Sequence, residues 1–390
     1  MMTKKTSYRL LKAVVAIIIL VGTPRWLLCA DDVVDGPALM QRVRDDIAWV
    51  GKLESFHLMA RIEERRTPEG IAHSLKQIKN QLELDQPDPQ KFTELLPETN
   101  MRMELDFDTR RMRYLWLHRD ASNRELWREV RMWDGRRCVY HVEDFRDATD
   151  RVVIKADTAL VTDSFWGWFG YLNQQPLAGW WNDDAKQREQ RLDAFGTASD
   201  YVLVDRENYH GVDCHVVLET RQWRDRYYVG AKDGRWYGAK TGVISFANLP
   251  KFAETHQRLV EEFLGRSLGA NPSNEVWNAV HQELTALSPA RRAVWGRRLY
   301  SEVGKRFTPC WEFWFSDFRD LGEGRFLPFR ETRLAYDHDE EKGAGQKIFI
   351  CDQRTLFVRK LTLNQPLDDS LFGEPIAAGA EVVDETAQNK

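Results

Sequence analysis

The sequence predicts an α+β fold built on one large antiparallel sheet with a helical insertion. Three observations carry that prediction. Stretches such as "SFHLMARIEERRT" and "MRMELDF" alternate apolar and polar residues with the period of a half-buried strand. Residues 251–306 change to apolar residues at helical spacing, and alternation resumes at Cys310 in the same style. Several strands carry apolar weight on both faces, which a sheet with one wet face does not need. The chain has 390 residues, 43% hydrophobic and 30% charged, so it can bury a large core without metals or disulfides.

The first thirty residues read separately. Lys4, Lys5, Arg9 and Lys12 precede the apolar run "AVVAIIILVG", and Leu28-Cys29-Ala30 precedes the acidic "DDVVD". A basic start, a short apolar core and a small residue predict a signal peptide over 1–30, with one domain over 31–390 and a mature start near Asp31. Ten apolar residues fall short of a bilayer span, so an uncleaved anchor is the lesser alternative. The predicted location is periplasmic or secreted. Removing residues 1–30 leaves 51 Lys plus Arg against 60 Asp plus Glu, which moves the net charge from −4 to −9. An acidic mature chain argues against nucleic acid as a partner. Four cysteines then remain, Cys138, Cys214, Cys310 and Cys351; two disulfides or four buried thiols both fit.

The elements follow in order. Pro37 and the stripe Leu39, Val43, Ile47 and Val50 predict a short helix over 37–50. A strand follows through Phe56, Leu58, Ala60 and Ile62. Ile71, Leu75, Ile78 and Leu82 return to helical spacing over 71–84. "MRMELDF", "RMRYLWLHR", "ELWREVRMW" and "RRCVYHVEDF" are strands, with Asp134-Gly135 as a hairpin turn between the last two. "SFWGWFGYL", at 164–172, packs five aromatics into nine positions and predicts a helix capped by Asp163 or Ser164. Two hairpins follow, the second turning at Asp233-Gly234. Three helices are then expected, starting near Phe252, at Asn271-Pro272 and at Ser288-Pro289. The closing strands are "CWEFWFSDFR", "FLPFRETRLAY", "KIFICD" and "TLFVRKLTLN", and the tail from Asn364 reads as extended and weakly ordered.

Catalytic signatures are missing from the sequence. It has no G-x-S-x-G elbow, phosphate-binding G-x-x-x-x-G-K-[ST] loop, H-E-x-x-H helix or dinucleotide G-x-G-x-x-G. No catalytic residue, metal ligand or cofactor is assigned. Tryptophan is the unusual signal, fifteen in one chain. Trp116 shares a strand face with Met112 and Tyr114. Trp127 and Trp133 lie opposite Leu126, Val130 and Met132, while Trp311, Phe313 and Phe315 lie opposite Trp314 and Phe318. Either helices cover both faces of the sheet, or one face lines an apolar cavity.

The order of elements resembles the LolA-like superfamily, the periplasmic carriers of outer-membrane lipoproteins and their relatives. "FWFSDFRDLGEGRFLPFRETRLAY" is similar to that family's hairpin, with a Gly turn and a Pro-bearing strand. "LTLNQPLDDSLFGEPIAAGAEVVD" is similar to its closing segment. The resemblance covers roughly residues 37–384 with interruptions; the segments at 71–99 and 251–306 have no counterpart in it. It implies an incomplete β-barrel, a curved antiparallel sheet wrapped over helices with an apolar cavity between. Phe165, Trp166, Trp168, Phe169, Tyr171, Trp116 and Trp314 are then the expected cavity lining. The implied function is non-catalytic carriage of a lipid, acyl chain or lipoprotein, with an envelope protein as a further partner for the helices at 251–306. Two alternatives stay open: a secreted polysaccharide hydrolase with Trp side chains stacking on sugars, or a structural module of the cell envelope.

Overall fold

Alternation along the chain becomes pairing across it. The computed structural model describes residues 35–82, 96–108, 111–155, 201–219, 225–243, 249–303, 308–339, 347–373 and 380–386. The N-terminal thirty residues and the aromatic segment with Phe165, Trp166, Trp168, Phe169 and Tyr171 lie outside them. Fourteen strands form one open sheet in the order β14 (Glu381–Asp384), β6 (Thr149–Lys155), β5 (Cys138–Asp144), β4 (Glu125–Trp133), β3 (Met112–Asp120), β2 (Glu98–Asp108), β1 (Ser55–Arg66), β13 (Lys347–Leu363), β12 (Phe326–Asp339), β11 (Thr308–Asp320), β10 (Trp236–Val243), β9 (Asp225–Gly230), β8 (Val212–Glu219) and β7 (Tyr201–Tyr209). Strands β14 and β7 are its two edges, so the sheet does not close into a barrel. This is the α+β architecture that the sequence and its family resemblance lead one to expect. Residues Gly36–Lys390 form one compact unit.

Strand β1 (Ser55–Arg66) sits at the centre, between β2 (Glu98–Asp108) and β13 (Lys347–Leu363). The first strand of the unit is thus held by a late one, with Phe56 opposite Leu363 and Arg61 opposite Phe357. One face of the centre buries Phe56, Leu58, Ala60 and Ile62 against Met101, Met103, Leu105 and Phe107. The other face carries His57, Met59, Arg61 and Glu63 of β1. Strand β13 runs unbroken through residues 351–355, where the sequence suggested two strands. Polar Asp352 and Gln353 do not end it because β1 and β12 (Phe326–Asp339) pair with it on both sides.

Between β10 (Trp236–Val243) and β11 (Thr308–Asp320) the chain leaves the sheet through three helices, α3 (Leu249–Leu264), α4 (Asn274–Thr285) and α5 (Pro289–Glu302). The two flanking strands pair directly, Thr241 opposite Trp311. Ser273 caps α4 and Ser288 caps α5, each side chain accepting a backbone N–H, so α4 starts two residues beyond the expected Asn-Pro step. The helices have their own core: Leu259, Val260, Val280, Leu284, Trp295 and Leu299. Helix α5 docks on the sheet through Tyr300, whose hydroxyl donates to Glu207 Oε1 at 2.7 Å.

Two further helices are described. Helix α1 (Gly36–Ile47) buries Leu39, Met40, Val43 and Ile47. In α2 (Pro68–Leu82) a Cβ on Gly70 would stand 2.2 Å from the Cys351 carbonyl, so only glycine allows this helix its seat on β13. Among the described residues no helix is long and apolar enough to cross a membrane.

The tail departs from its weakly ordered expectation. Asp368 caps a short 3-10 turn, and Phe372 in that turn packs on Leu115, Val130, Val139 and Val152 of the sheet. Arg111 lies 4.2 Å over the Phe372 ring and pairs with Asp369 at 2.6 Å. Strand β14 (Glu381–Asp384) then runs along β6 (Thr149–Lys155) as a parallel pair, so the sheet is mixed at that edge. The four cysteines are free thiols, Cys138 and Cys214 buried, Cys310 and Cys351 half-buried. Neither of the two disulfides that the count allowed is formed. Cys310 and Cys351 lie on strands with β12 between them, about 10 Å apart by strand spacing, which exceeds disulfide reach.

Candidate functional site

Strand register sorts the candidate residues onto two faces. Trp116 of β3 (Met112–Asp120) pairs with Met103 and so shares the apolar face of β1. Trp314 of β11 pairs with Thr332, which pairs with Thr355 and then Glu63, so it lies on the opposite face. The two tryptophans therefore do not line a common cavity.

Trp116 is nearly buried, in a strip with Tyr114 at 5.3 Å and His118 at 5.4 Å between ring centroids. Trp127 of β4 (Glu125–Trp133) closes on His118 at 4.4 Å. Burial first, then the guanidiniums of Arg354, Arg146 and Arg66, lower the His118 pKa to about 3, so the ring is neutral. Close to those guanidiniums, buried Glu64 accepts from Arg354 at 2.7 Å, Arg66 at 2.9 Å and the Thr99 hydroxyl at 3.0 Å. The Glu64 carboxylate is thus compensated by its own donors, while Tyr114 Oη, His118 Nε2 and Trp127 Nε1 are buried with no hydrogen-bond partner among the described residues.

Trp314 lines a cavity of about 470 Å³ with Tyr209, His210, Tyr237, Phe318 and Arg330. Its floor is rigid. The Tyr209 ring stacks on Tyr228 at 3.7 Å, and its hydroxyl donates to the Phe313 carbonyl at 2.9 Å. A Cβ on Gly238 would stand 2.1 Å from that same carbonyl, and Gly238 has φ +151°. A glycine there lets β10 approach β11 beneath the rings. His210 stacks on Trp314 at 3.7 Å and reaches Glu312 Oε1 with Nε2 at 2.9 Å. Lys240 Nζ lies 3.1 Å from the same oxygen, and the Tyr336 hydroxyl donates to Oε2 at 2.8 Å. Burial pushes the Glu312 carboxyl up, and Lys240, His210 and Tyr336 together outweigh it, so it stays below the usual carboxylate range. Glu312 is therefore an ionised anchor for the rings and has no proton to donate at neutral pH. Tyr237 is pushed up to about 12 by burial and by Asp233, to which it donates at 2.9 Å.

A second cavity, about 560 Å³, lies on the same face over β13, β1, β2 and β3. Met59 contributes apolar side-chain lining, and Arg61, Arg102, Arg119 and Arg359 its charge. Register aligns much of this surface. Arg330 is opposite Phe357, Phe357 opposite Arg61, Arg61 opposite Arg102, and Arg102 opposite Leu117. The arginines at 61 and 102 sit on the polar phase of alternating strands, a pattern visible in sequence. That these phases meet in one row was not, because strand pairing is a long-range choice.

Elsewhere, His141, Glu143 and Asp150 bring ligand-type atoms within 4.8 Å of one another. His141 Nε2 is 2.7 Å from Asp150, and Arg128 holds Glu143 at 3.0 Å. With a guanidinium already on one carboxylate, the trio reads as an ion-pair cluster.

No family model matches the chain, and no curated protein matches it. Among solved structures it is similar to a DUF1329 family protein from Desulfovibrio piger, at 9% identity and a TM-score of 0.35, covering 87% of this chain and 98% of that one. It is also similar to an outer membrane lipoprotein-sorting protein domain from Vibrio parahaemolyticus, at 6% identity and a TM-score of 0.33, covering 85% of this chain and 96% of that one.

Proposed function

We propose that this chain is an exported, non-catalytic binding protein that holds a lipid or the acyl chain of a lipidated protein in the cavity around Trp314. The observation that carries this reading is the lining itself. Tyr209, Tyr237, Trp314 and Phe318 supply aromatic surface, and His210, Ser316, Asp317 and Arg330 supply polar groups. A volume near 470 Å³ is the size of an ordinary small-ligand site. Binding there would draw on apolar burial at roughly 25 cal/mol per Å² of ligand surface.

The test is displacement of a fluorescent fatty acid from the mature protein. Trp314→Ala is expected to weaken uptake at least tenfold, and Trp116→Ala, on the other face, to leave it unchanged wherever that variant folds. Absence of saturable uptake by the unmutated protein sinks the reading. Export is tested separately, by intact mass of protein from the envelope fraction, with a start near Asp31 expected; a retained Met1 in a cytoplasmic pool would overturn it.

A further inference from the structure

We infer that the arginine row beside the Trp314 cavity is the headgroup site for an anionic amphiphile, a phosphoryl group bound on the arginines with its apolar part in the Trp314 cavity. This rests on the acyl-binding reading above and names the chemistry at the other end of the ligand.

Geometry supplies the first reason. Arg330 belongs to both features: it lines the Trp314 cavity, and it begins the cross-strand row that continues through Phe357 to Arg61 and Arg102. From Arg330 to Arg102 the row crosses three strand spacings, about 14 Å. One ligand can thus touch apolar lining at one end and guanidiniums at the other.

Charge supplies the second. Arg61 and Arg102 are directly opposite each other, an arrangement that destabilises a sheet when both side chains are cationic. Glu63 holds Arg61 at 2.7 Å, Glu104 pairs with Arg102, and Glu125 holds Arg119 at 2.8 Å. Glu104 is shared, since Arg113 also reaches it at 3.1 Å. Burial pushes the Glu104 carboxyl up, and Arg113 and Arg102 outweigh it, so it sits low and stays ionised. Arg330 and Arg359 have no carboxylate partner among the described residues; both guanidiniums lie over the Phe357 ring, at 5.2 and 5.5 Å. Lys360, exposed and opposite Met59, adds another cation. The surface therefore keeps a positive excess in a protein whose overall charge is −4. A guanidinium has five N–H donors, and one carboxylate leaves part of that fork free. Phosphoryl oxygens match the free part bidentately.

Size supplies the third. At about 560 Å³ the arginine-lined cavity is far larger than a free phosphate ion needs, and Met59 gives it apolar lining.

The experiment compares lysophosphatidic acid, lysophosphatidylcholine of the same chain length and inorganic phosphate, each titrated against the mature protein at low salt. Lysophosphatidic acid is expected to bind at least tenfold tighter than lysophosphatidylcholine, and the preference to shrink as salt rises. The double variant R61Q/R102Q is expected to lose the preference while keeping lysophosphatidylcholine binding, which also shows that it is folded. K232Q, on the β9–β10 turn, is expected to keep it. Equal affinity for the two lysolipids overturns the headgroup site and leaves the acyl-binding reading standing, as does a preference that survives the double variant. Inorganic phosphate binding as tightly as lysophosphatidic acid also overturns it, since the site then takes a free anion. If neither lysolipid binds, both readings fall.

Discussion

The two faces of β1 and β2 are built from neighbouring residues and behave as different materials. Phe56, Leu58, Ala60 and Ile62 meet Met101, Met103, Leu105 and Phe107 in a buried apolar layer. One residue out of phase, His57, Met59, Arg61 and Glu63 meet Asp106, Glu104, Arg102 and Asn100 in an ionic layer. The apolar face gives stability that depends on volume and is indifferent to salt. The charged face gives little stability per pair where it is exposed, and where it is buried the loss of one partner is costly because it leaves the other charge uncompensated. The difference teaches that burial, more than charge, sets what a residue here is worth, and four measurements can break or sharpen that comparison.

The largest effect is expected on the charged face, at its one fully buried carboxylate. Asp106 meets Arg113 at 3.0 Å and His57 at 2.5 Å. Asp106→Ala leaves a buried guanidinium without that partner and should cost about 3–5 kcal/mol in urea unfolding. A cost under about 1 kcal/mol would show that water reaches this corner and that the layer is wet throughout.

Next comes the apolar face. Leu58→Ala should cost about 3 kcal/mol, through lost burial and the cavity left behind. Met59→Ala, one residue on and half-buried, should cost less than about 1 kcal/mol by the same assay. Equal costs would erase the distinction between the faces.

The third test uses pH. His118 is held neutral in the fold, with its pKa near 3, whereas an unfolded histidine titrates near 6.5. Below pH 6.5 the unfolded chain gains a proton that the native chain refuses. Stability should therefore fall as pH drops from 6.5 towards 3, by at most about 1.4 kcal/mol per pH unit from this residue. His256, in the helical insertion, is lowered to about 4 by burial alone, and it adds the same sign over a narrower window. Urea midpoints between pH 7 and 5 should flatten in His118→Asn relative to the unmutated protein. An unchanged slope would mean that the imidazole is protonated in the fold.

The smallest effect is expected in the arginine row. Arg102 is half exposed, so Arg102→Gln should change stability by no more than about 0.5 kcal/mol. A loss above 2 kcal/mol would make the row structural and remove the reason to regard it as a binding surface.

Much of this fold was written locally. The alternation of β1, β2 and β11, the cap Ser288 and the turns at Asp134-Gly135 and Asp233-Gly234 act over a few residues, so they are legible one stretch at a time. The tail was not, because the order of Phe372 comes from Leu115, Val130 and Val152, more than two hundred residues away. Polar Asp352 and Gln353 looked like a strand break for a related reason: of the two strands that hold them in the sheet, β12 is the hairpin neighbour but β1 is distant in sequence.

For the candidate site the division is the same. By itself the sequence determined which faces of each strand were apolar and which were charged, because side-chain direction in a strand follows a period of two. Only the tertiary structure decided that Trp116 and Trp314 lie on opposite faces, and that Arg330, Arg61 and Arg102 align across strands from both ends of the chain. Pairing register is fixed by burying one whole face at once, and that is a property of all the strands together.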